Sequence, residues 1–301
     1  MSSIFFCMLV LPFSTFSINI YYPGKAKAEL INTIETRNCV ISYVTINGVV
    51  YLLKQKKDPR KQLAVVRDAL AAYIAECLGI AHQVDIIPLK HTFPGKPHSK
   101  WPATLHTIAP GETVRMQKDS KYNALRLRQF WAGAKNFNEK GLTRAIITYM
   151  TWHRQLPLII ALDLIIGNSD RHCGNLCYDP KTDTFCAIDM DDTFNKDLCL
   201  IACQKLKMMQ DEKIIFTSQE IFALKRLRNT LQFLIRKHKA TDVIAKMHMY
   251  AKKAGFVKGN KIYTDSVAKK LQLYEKMIIA SNASAQKLII LLGEIIAGKS
   301  H

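Results

Sequence analysis

The chain has 301 residues, 49% hydrophobic and 22% charged, with 43 Lys/Arg against 24 Asp/Glu and a net charge of +19. Such a composition excludes a disordered chain and a small disulfide-stapled scaffold, and the length allows one large domain or two lobes. The charge is unevenly spread: Ile201 to His301 holds 19 Lys/Arg against 7 Asp/Glu, an excess that draws anions.

The first 22 residues, "MSSIFFCMLVLPFSTFSINIYY", are apolar enough for a signal peptide or a weak anchor. They lack a basic leading region and a clear small-residue cleavage site, and Pro12 with several Ser/Thr makes a poor spanning helix. A local strand, or an extension over residues 1–37 ahead of the folded part, fits equally.

From Asn38 the pattern turns β-rich. "CVISYVTINGVVYLLKQKK" places two β-branched and aromatic runs around Asn47-Gly48, the dipeptide of a type I′ hairpin turn. Val40–Thr45 and Val49–Lys54 are therefore expected to pair antiparallel. "QLAVVRDALAAYIAECLGI" is apolar at helical spacing and ends at Gly79. "VDIIPL" and "ATLHTIAPG" read as strands around the loop "PGKPHSKWP". Beyond Pro110 the character is helical: 123–137, 142–153 and 157–166, the last with Pro157 at its start. A hairpin follows over 176–189, turning on "DPKTD", and the chain from Gln219 onward is nearly all helix. The expected fold is α+β and two-lobed: a small β-rich lobe with one helix over 38–109 and a larger helical lobe over 110–301, basic from about 215.

Eight cysteines are present, at 7, 39, 77, 173, 177, 186, 199 and 203. No Cys-x-x-Cys pair and no finger-spaced His pair occurs. Several lie inside apolar runs, where a thiol behaves as a small hydrophobe, so reduced structural cysteines and a reducing, cytoplasmic compartment are expected.

Chemistry gathers in "LIIGNSDRHCGNLCYD", residues 164–179, followed after one short apolar stretch by "AIDMDD". Singly, Asp170 reads as a turn cap and Asn175 as an Asx-turn residue. Their five-residue separation is that of the Asp and Asn in the kinase pattern H-R-D-L-x-x-x-N. There the Asp accepts a substrate hydroxyl proton and the Asn offers a neutral oxygen to a magnesium ion. Asp189, emerging from an apolar strand, is placed to hold a divalent cation bridging nucleotide phosphates. Lys54 ends its strand "VVYLLK" as a phosphate-gripping lysine does. Its acidic partner would be Asp68 or Glu76 on the following helix. His172 reads as a structural hydrogen-bonder, Arg171 as the partner of an acid in the larger lobe, and Asp163 as internally satisfied.

These residues resemble the atypical kinase branch that includes the HipA-like kinases, the actin-fragmin kinase and the phosphatidylinositol 3- and 4-kinases. "IIGNSDRHCGNL" is similar to that branch's G-N-x-D-R-H-x-x-N loop and "CAIDMDD" to its counterpart of D-F-G. The order from "VYLLKQKKDP" through "RDALAAYIAECLGI" to "PATLHTIAPGE" is similar to its lysine strand, first helix and interlobe connection. The resemblance spans about residues 40–195. It implies a bilobal protein-kinase-like fold and transfer of the ATP γ-phosphoryl group to a protein hydroxyl. Asp170 would be the catalytic residue, Lys54 and Asp68 (with Glu76 as alternative) the ATP-binding pair, and Asn175 with Asp189 the ligands of Mg²⁺ or Mn²⁺. Asp191 and Asp192 crowd Asp189, and Asp191 stands as the alternative ligand. No G-x-G-x-x-G precedes the lysine strand, so the phosphates would be covered by another loop such as "YYPGKAK".

Two other readings stand beside this one: a phosphoinositide or inositol kinase, and a pseudokinase-type scaffold that binds anions. In each the basic C-terminal part meets an inositol polyphosphate or a phosphoinositide, which it could also bind as a regulator. Nucleic acid is disfavoured, because no finger, helix-turn-helix or stacking motif accompanies the charge. By analogy with small lone kinases of this branch, a bacterial effector delivered into a host cell also suits the chain.

Overall fold

A computed structural model describes residues 17–18, 28–36, 38–58, 61–87, 102–117, 122, 139–258, 261–262 and 264–298. The N-terminal apolar run apart from Ser17–Ile18, the loop "YYPGKAK", most of "PGKPHSKWP" and the helix expected over 123–137 lie outside those residues.

The N-terminal part is a six-stranded antiparallel sheet in the order β1-β2-β3-β4-β6-β5. Its strands are β1 (Ser17–Ile18), β2 (Ala28–Glu35), β3 (Cys39–Ile46), β4 (Val49–Lys56), β5 (Val84–Ile87) and β6 (Ala103–Thr107). The β3–β4 hairpin turns on Asn47 and Gly48, with φ of 51° and 77°, the left-handed pair that a type I′ turn requires. β4 is central, pairing with β3 on one side and β6 on the other. The strand-rich part begins earlier than expected: β2 lies inside the supposed extension and pairs along β3. A register shift between Leu30 and Asn32 breaks the two-residue alternation, which hides this strand from a pattern reading.

Helix α1 (Ala64–Glu76) follows β4 and is buried over most of its length. It packs on β5 and β6 and against the helices Leu156–Ile166 and Ala240–Lys253 of the larger part. The sheet and the helical part are stitched where the Ala187 N–H donates to the Ile80 carbonyl at 2.7 Å, a parallel bridge between Ala81 and Ala187.

The larger part contains α2 (Glu139–Thr151), α3 (Leu156–Ile166), α4 (Leu198–Asp211), α5 (Ser218–Lys237), α6 (Ala240–Lys253) and α7 (Asp265–Ile296). A three-stranded antiparallel sheet combines β7 (Glu112–Thr113), β8 (Leu176–Asp179) and β9 (Thr184–Ala187). The short hairpin of β10 (Val257–Lys258) and β11 (Lys261–Ile262) interrupts the run expected to be nearly all helix. Helix α4, absent from the sequence reading, starts where the Leu200 N–H donates to the Asp197 carboxylate at 3.0 Å, an N-cap. α5 opens on a complete capping box of Thr217 and Glu220. α7 is long and apolar enough to cross a membrane by length and composition. Here it packs against α3, α4, α5 and α6 and buries Leu271, Tyr274, Ile278, Leu288 and Leu292. The layout is thus α+β: an antiparallel sheet carrying one helix, then a helical part around one main core. The seven described cysteines are all free.

Candidate active site

α3 is apolar on every side and nearly all buried. It stops at Gly167, whose φ is 62° and whose N–H donates to the Asp163 carbonyl. A Cβ at Gly167 would lie 2.3 Å from the Lys196 carbonyl oxygen, so only glycine fits. The loop beyond is held from inside by Arg171, a fully buried arginine. Its Nε and Nη2 donate to the Asp163 carboxylate at 3.1 and 3.0 Å; its Nη1 donates to the Ile188 carbonyl at 2.9 Å and to the Asn175 carbonyl. One guanidinium therefore ties α3, the loop and the strand exit before Asp189 together. Burial pushes the Asp163 carboxyl up, against the pull of Arg171.

The loop's functional candidates hang on this frame. The Asn168 Nδ2 donates to Asp163 at 3.0 Å, and the Asn168 Oδ1 accepts the Asp170 N–H at 3.1 Å. The Asn175 Nδ2 donates to the Asp170 carbonyl at 3.0 Å. The Asp170 backbone is gripped on both sides, and the residue as a whole is part-exposed. His172 accepts the Gly174 N–H on Nδ1 at 3.0 Å, the structural part expected of it.

Asp189 leaves β9 with φ of 53°, a left-handed conformation that Asp tolerates and that re-aims its side chain. The result is a charge cluster. The Lys54 Nζ meets Asp189, lies 2.7 Å from Asp191 and 4.0 Å from Asp68. Burial works against the Lys54 ammonium, yet Asp189, Asp191 and Asp68 outweigh it and hold its pKa well above 10.5. Asp68 is 1% exposed; burial pushes its pKa up to about 7 while Lys54 pulls the other way. The Met190 N–H donates to the Asp68 Oδ1 at 3.3 Å, fastening the segment after Asp189 to α1.

Of the two acids considered on α1, the structure brings Asp68 to Lys54. Glu76 is exposed and lines a separate cavity with Tyr73, His82 and Asp85. Asp189 and Asp191 differ as sharply. The Asp189 side chain is 46% exposed, whereas that of Asp191 is 15% exposed and held between Lys54 and Lys56. Although burial pushes the Asp191 carboxyl up, the two lysines keep it well below the usual carboxylate range.

The sequence reading missed Lys56 and the pair His82–His106. Lys56 sits two residues after Lys54 on the same face of β4, a periodicity visible in the sequence. The His106 Nε2 lies 3.4 Å from the Asp68 carboxylate and 2.7 Å from the Thr104 hydroxyl. The His106 Nδ1 pairs with the His82 Nε2 at 2.7 Å. Burial lowers both: His82 to about 4, and His106 well below 6.5. That pairing depends on the β5–β6 register, which carries no local signal.

Beside the cluster lies a cavity of about 300 Å³. Its walls are mostly apolar, including Ile41, Leu52, Ile108 and Cys177, and Lys54 and Asp189 also line it. This size and lining, apolar with a few polar groups, are those of small-molecule sites in general. Among the described residues no group of three or more His, Cys, Asp or Glu side chains could hold a metal ion by itself. Asp189 offers a half-exposed carboxylate and Asn175 an amide oxygen, opposite the nitrogen given to Asp170. Hard oxygen donors of this kind would suit a magnesium-like ion.

No protein-family model matches the chain, and no curated protein sequence matches it. Among solved structures, the Helicobacter pylori proinflammatory kinase CtkA is similar at 13% identity over 86% of this chain and 96% of its own, with a TM-score of 0.47. Vaccinia related kinase 3 is similar at 11% over 96% and 93%, TM-score 0.34. The aminoglycoside phosphotransferase of Alicyclobacillus acidocaldarius is similar at 12% over 89% and 93%, TM-score 0.31. At these identities and scores the likeness adds nothing to what the geometry shows.

Proposed function

We propose that the chain is a kinase-like phosphotransferase that binds ATP with Mg²⁺ or Mn²⁺ and passes the γ-phosphoryl group to a hydroxyl, foremost one on a protein. The observation that carries the reading is the meeting of Lys54, Asp68 and Asp189, from three distant stretches, beside a cavity of small-molecule size. Asn175 and Asp170 stand on the loop fastened to the same strand exit. In this reading Lys54 binds phosphate oxygens and Asp68 keeps it on station. Asn175 and Asp189 hold the cation, which when bound neutralises phosphate charge. Asp170 accepts the proton of the incoming hydroxyl. Such a site works by positioning and charge stabilisation.

Seven free cysteines support a reducing compartment as the place of action. The surplus of cations after Ile201 favours one second reading, an acceptor or regulator bearing phosphorylated inositol. The test is transfer of labelled phosphate from ATP with Mg²⁺ or Mn²⁺, offered to generic protein acceptors and to phosphoinositide vesicles in parallel. Asp170→Ala should abolish transfer and leave the melting temperature unchanged. Absence of transfer by the wild type to every acceptor with either metal would overturn the proposal.

A further inference from the structure

Arg67 stands on α1 immediately before Asp68, and its side chain is 14% exposed. Its Nη1 donates to the Asn195 Oδ1 at 2.8 Å and to the Thr193 carbonyl at 3.3 Å, with the Asp192 carboxylate 4.0 Å away. Its guanidinium also lies over the ring of Tyr274 on α7, 5.4 Å from the centroid, at cation–π distance. Tyr274 is itself buried in the main core. Consecutive residues of α1 thus grip the same segment at two points: Asp68 at Met190, Arg67 at Thr193 and Asn195. The segment is pinned from the other side as well, because Met190 and Phe194 are buried and the Phe194 N–H donates to the Ile166 carbonyl at 2.6 Å.

We infer that Arg67 is a positioning residue, joining α1, the segment 190–195 and the C-terminal helix α7 so that Asp68, Lys54 and Asp189 stay in register. The inference rests on the phosphotransferase reading and adds to it what aligns α1. The Lys54–Asp68 pair, at 4.0 Å, sits at the outer edge of an ion pair, so a small displacement of α1 breaks it. The apolar walls of the cavity, such as Ile41, Leu52 and Cys177, belong to other elements, and nucleotide binding should largely survive. Loss of the joint should therefore act on turnover more than on nucleotide affinity. Misplacement of reacting groups by about 1 Å lowers rates by up to about a hundredfold.

The test is Arg67→Met, which keeps the packing stem and removes the guanidinium, together with Asn195→Ala at an exposed position and the double variant. Arg67→Met should lower kcat about tenfold or more while the KM for ATP moves less than about threefold. The double variant should be no slower than Arg67→Met, because both substitutions cut the same link. If Arg67→Met fails to fold, Asn195→Ala carries the test with a several-fold fall in kcat at unchanged KM. Unchanged kcat, or equal loss through KM, overturns the inference. Amide exchange of the nucleotide-free protein gives a second readout: residues 64–76 and 190–195 should exchange faster together in Arg67→Met. If the wild type transfers no phosphate, the functional reading falls, and the exchange experiment still decides the joint. Protection unchanged in both segments refutes it.

Discussion

Asp163 is the residue whose removal the structure makes most costly. Asp163→Ala deletes the only carboxylate among the described residues that is bonded to the Nε and Nη2 of Arg171, a side chain with no exposure at all. It also strips the Asn168 Nδ2 of its acceptor, and through Asn168 it loosens the bond to the Asp170 N–H. Breaking a buried ion pair from one side leaves an uncompensated charge and costs about 3–5 kcal/mol. At roughly 2–4 °C per kcal/mol for a large domain, the melting temperature should fall by about 6–20 °C. Thermal melts followed by circular dichroism, with urea midpoints at fixed pH, measure it. Replacing both partners, as Asp163→Leu with Arg171→Met, removes the stranded charge and should recover only part of the loss. The carbonyls of Asn175 and Ile188, which Arg171 now satisfies, would then lack their donor. A fall of less than about 3 °C in Asp163→Ala, well below that ion-pair cost, would refute the assignment of this pair as the frame of the loop.

Asp189 and Asp191 should answer oppositely in a fluorescent-nucleotide titration with and without chelator. Asp189→Ala should remove the metal-dependent part of binding, whereas Asp191→Asn frees Lys54 and Lys56 of a shared anion and should tighten metal-free binding several-fold; equal weakening by both would sink the division of roles. Acid should unfold the protein partly through His82. With a folded pKa of about 4 against 6.5, His82 binds its proton more readily when unfolded, so stability is lost as pH falls from 6.5 towards 4, by up to about 3 kcal/mol. Asp68, raised to about 7, works in the opposite sense over an overlapping window, so the comparison is between wild type and His82→Phe, whose urea midpoint should depend less on pH. Gly167→Ala should lower the unfolding free energy from urea melts by more than the 1–2 kcal/mol or so of left-handed strain, since its Cβ would also meet the Lys196 carbonyl; an unchanged midpoint would contradict the close approach.

Elements with local chemistry could be read directly. The β3–β4 hairpin follows from Asn47-Gly48, the end of α3 from Gly167, and the β8–β9 hairpin from a polar turn between two apolar runs. The two-lobed α+β layout follows from the change of hydrophobic period near residue 110. β2 escaped because its bulge breaks the alternation, and α4 because its start depends on one capping side chain, Asp197. For the site, the spacing from Asp170 to Asn175 marked the loop, but nothing local says that Arg171 faces inward with no exposure. The choice between Asp68 and Glu76 turns on how α1 sits against the sheet. Lys56 obeys the two-residue period of β4 but lies beyond the strand expected to end at Lys54.

The charges of the cluster explain why so many acids surround one lysine. Two ammonium groups, Lys54 and Lys56, face three carboxylates, those of Asp68, Asp189 and Asp191. A buried ammonium without partners would lose its proton, so the acids keep Lys54 charged before any ligand arrives. A polyphosphate that takes Lys54 must then draw it off Asp189, leaving that carboxylate unpaired beside further negative charge. Under the proposed function, a divalent cation held by Asp189 would relieve that repulsion. Asp191 escapes the same fate because Lys56 remains with it. On the proposed function, the lysine two residues along β4 separates Asp191, which stays paired, from the half-exposed Asp189, which would hold the metal.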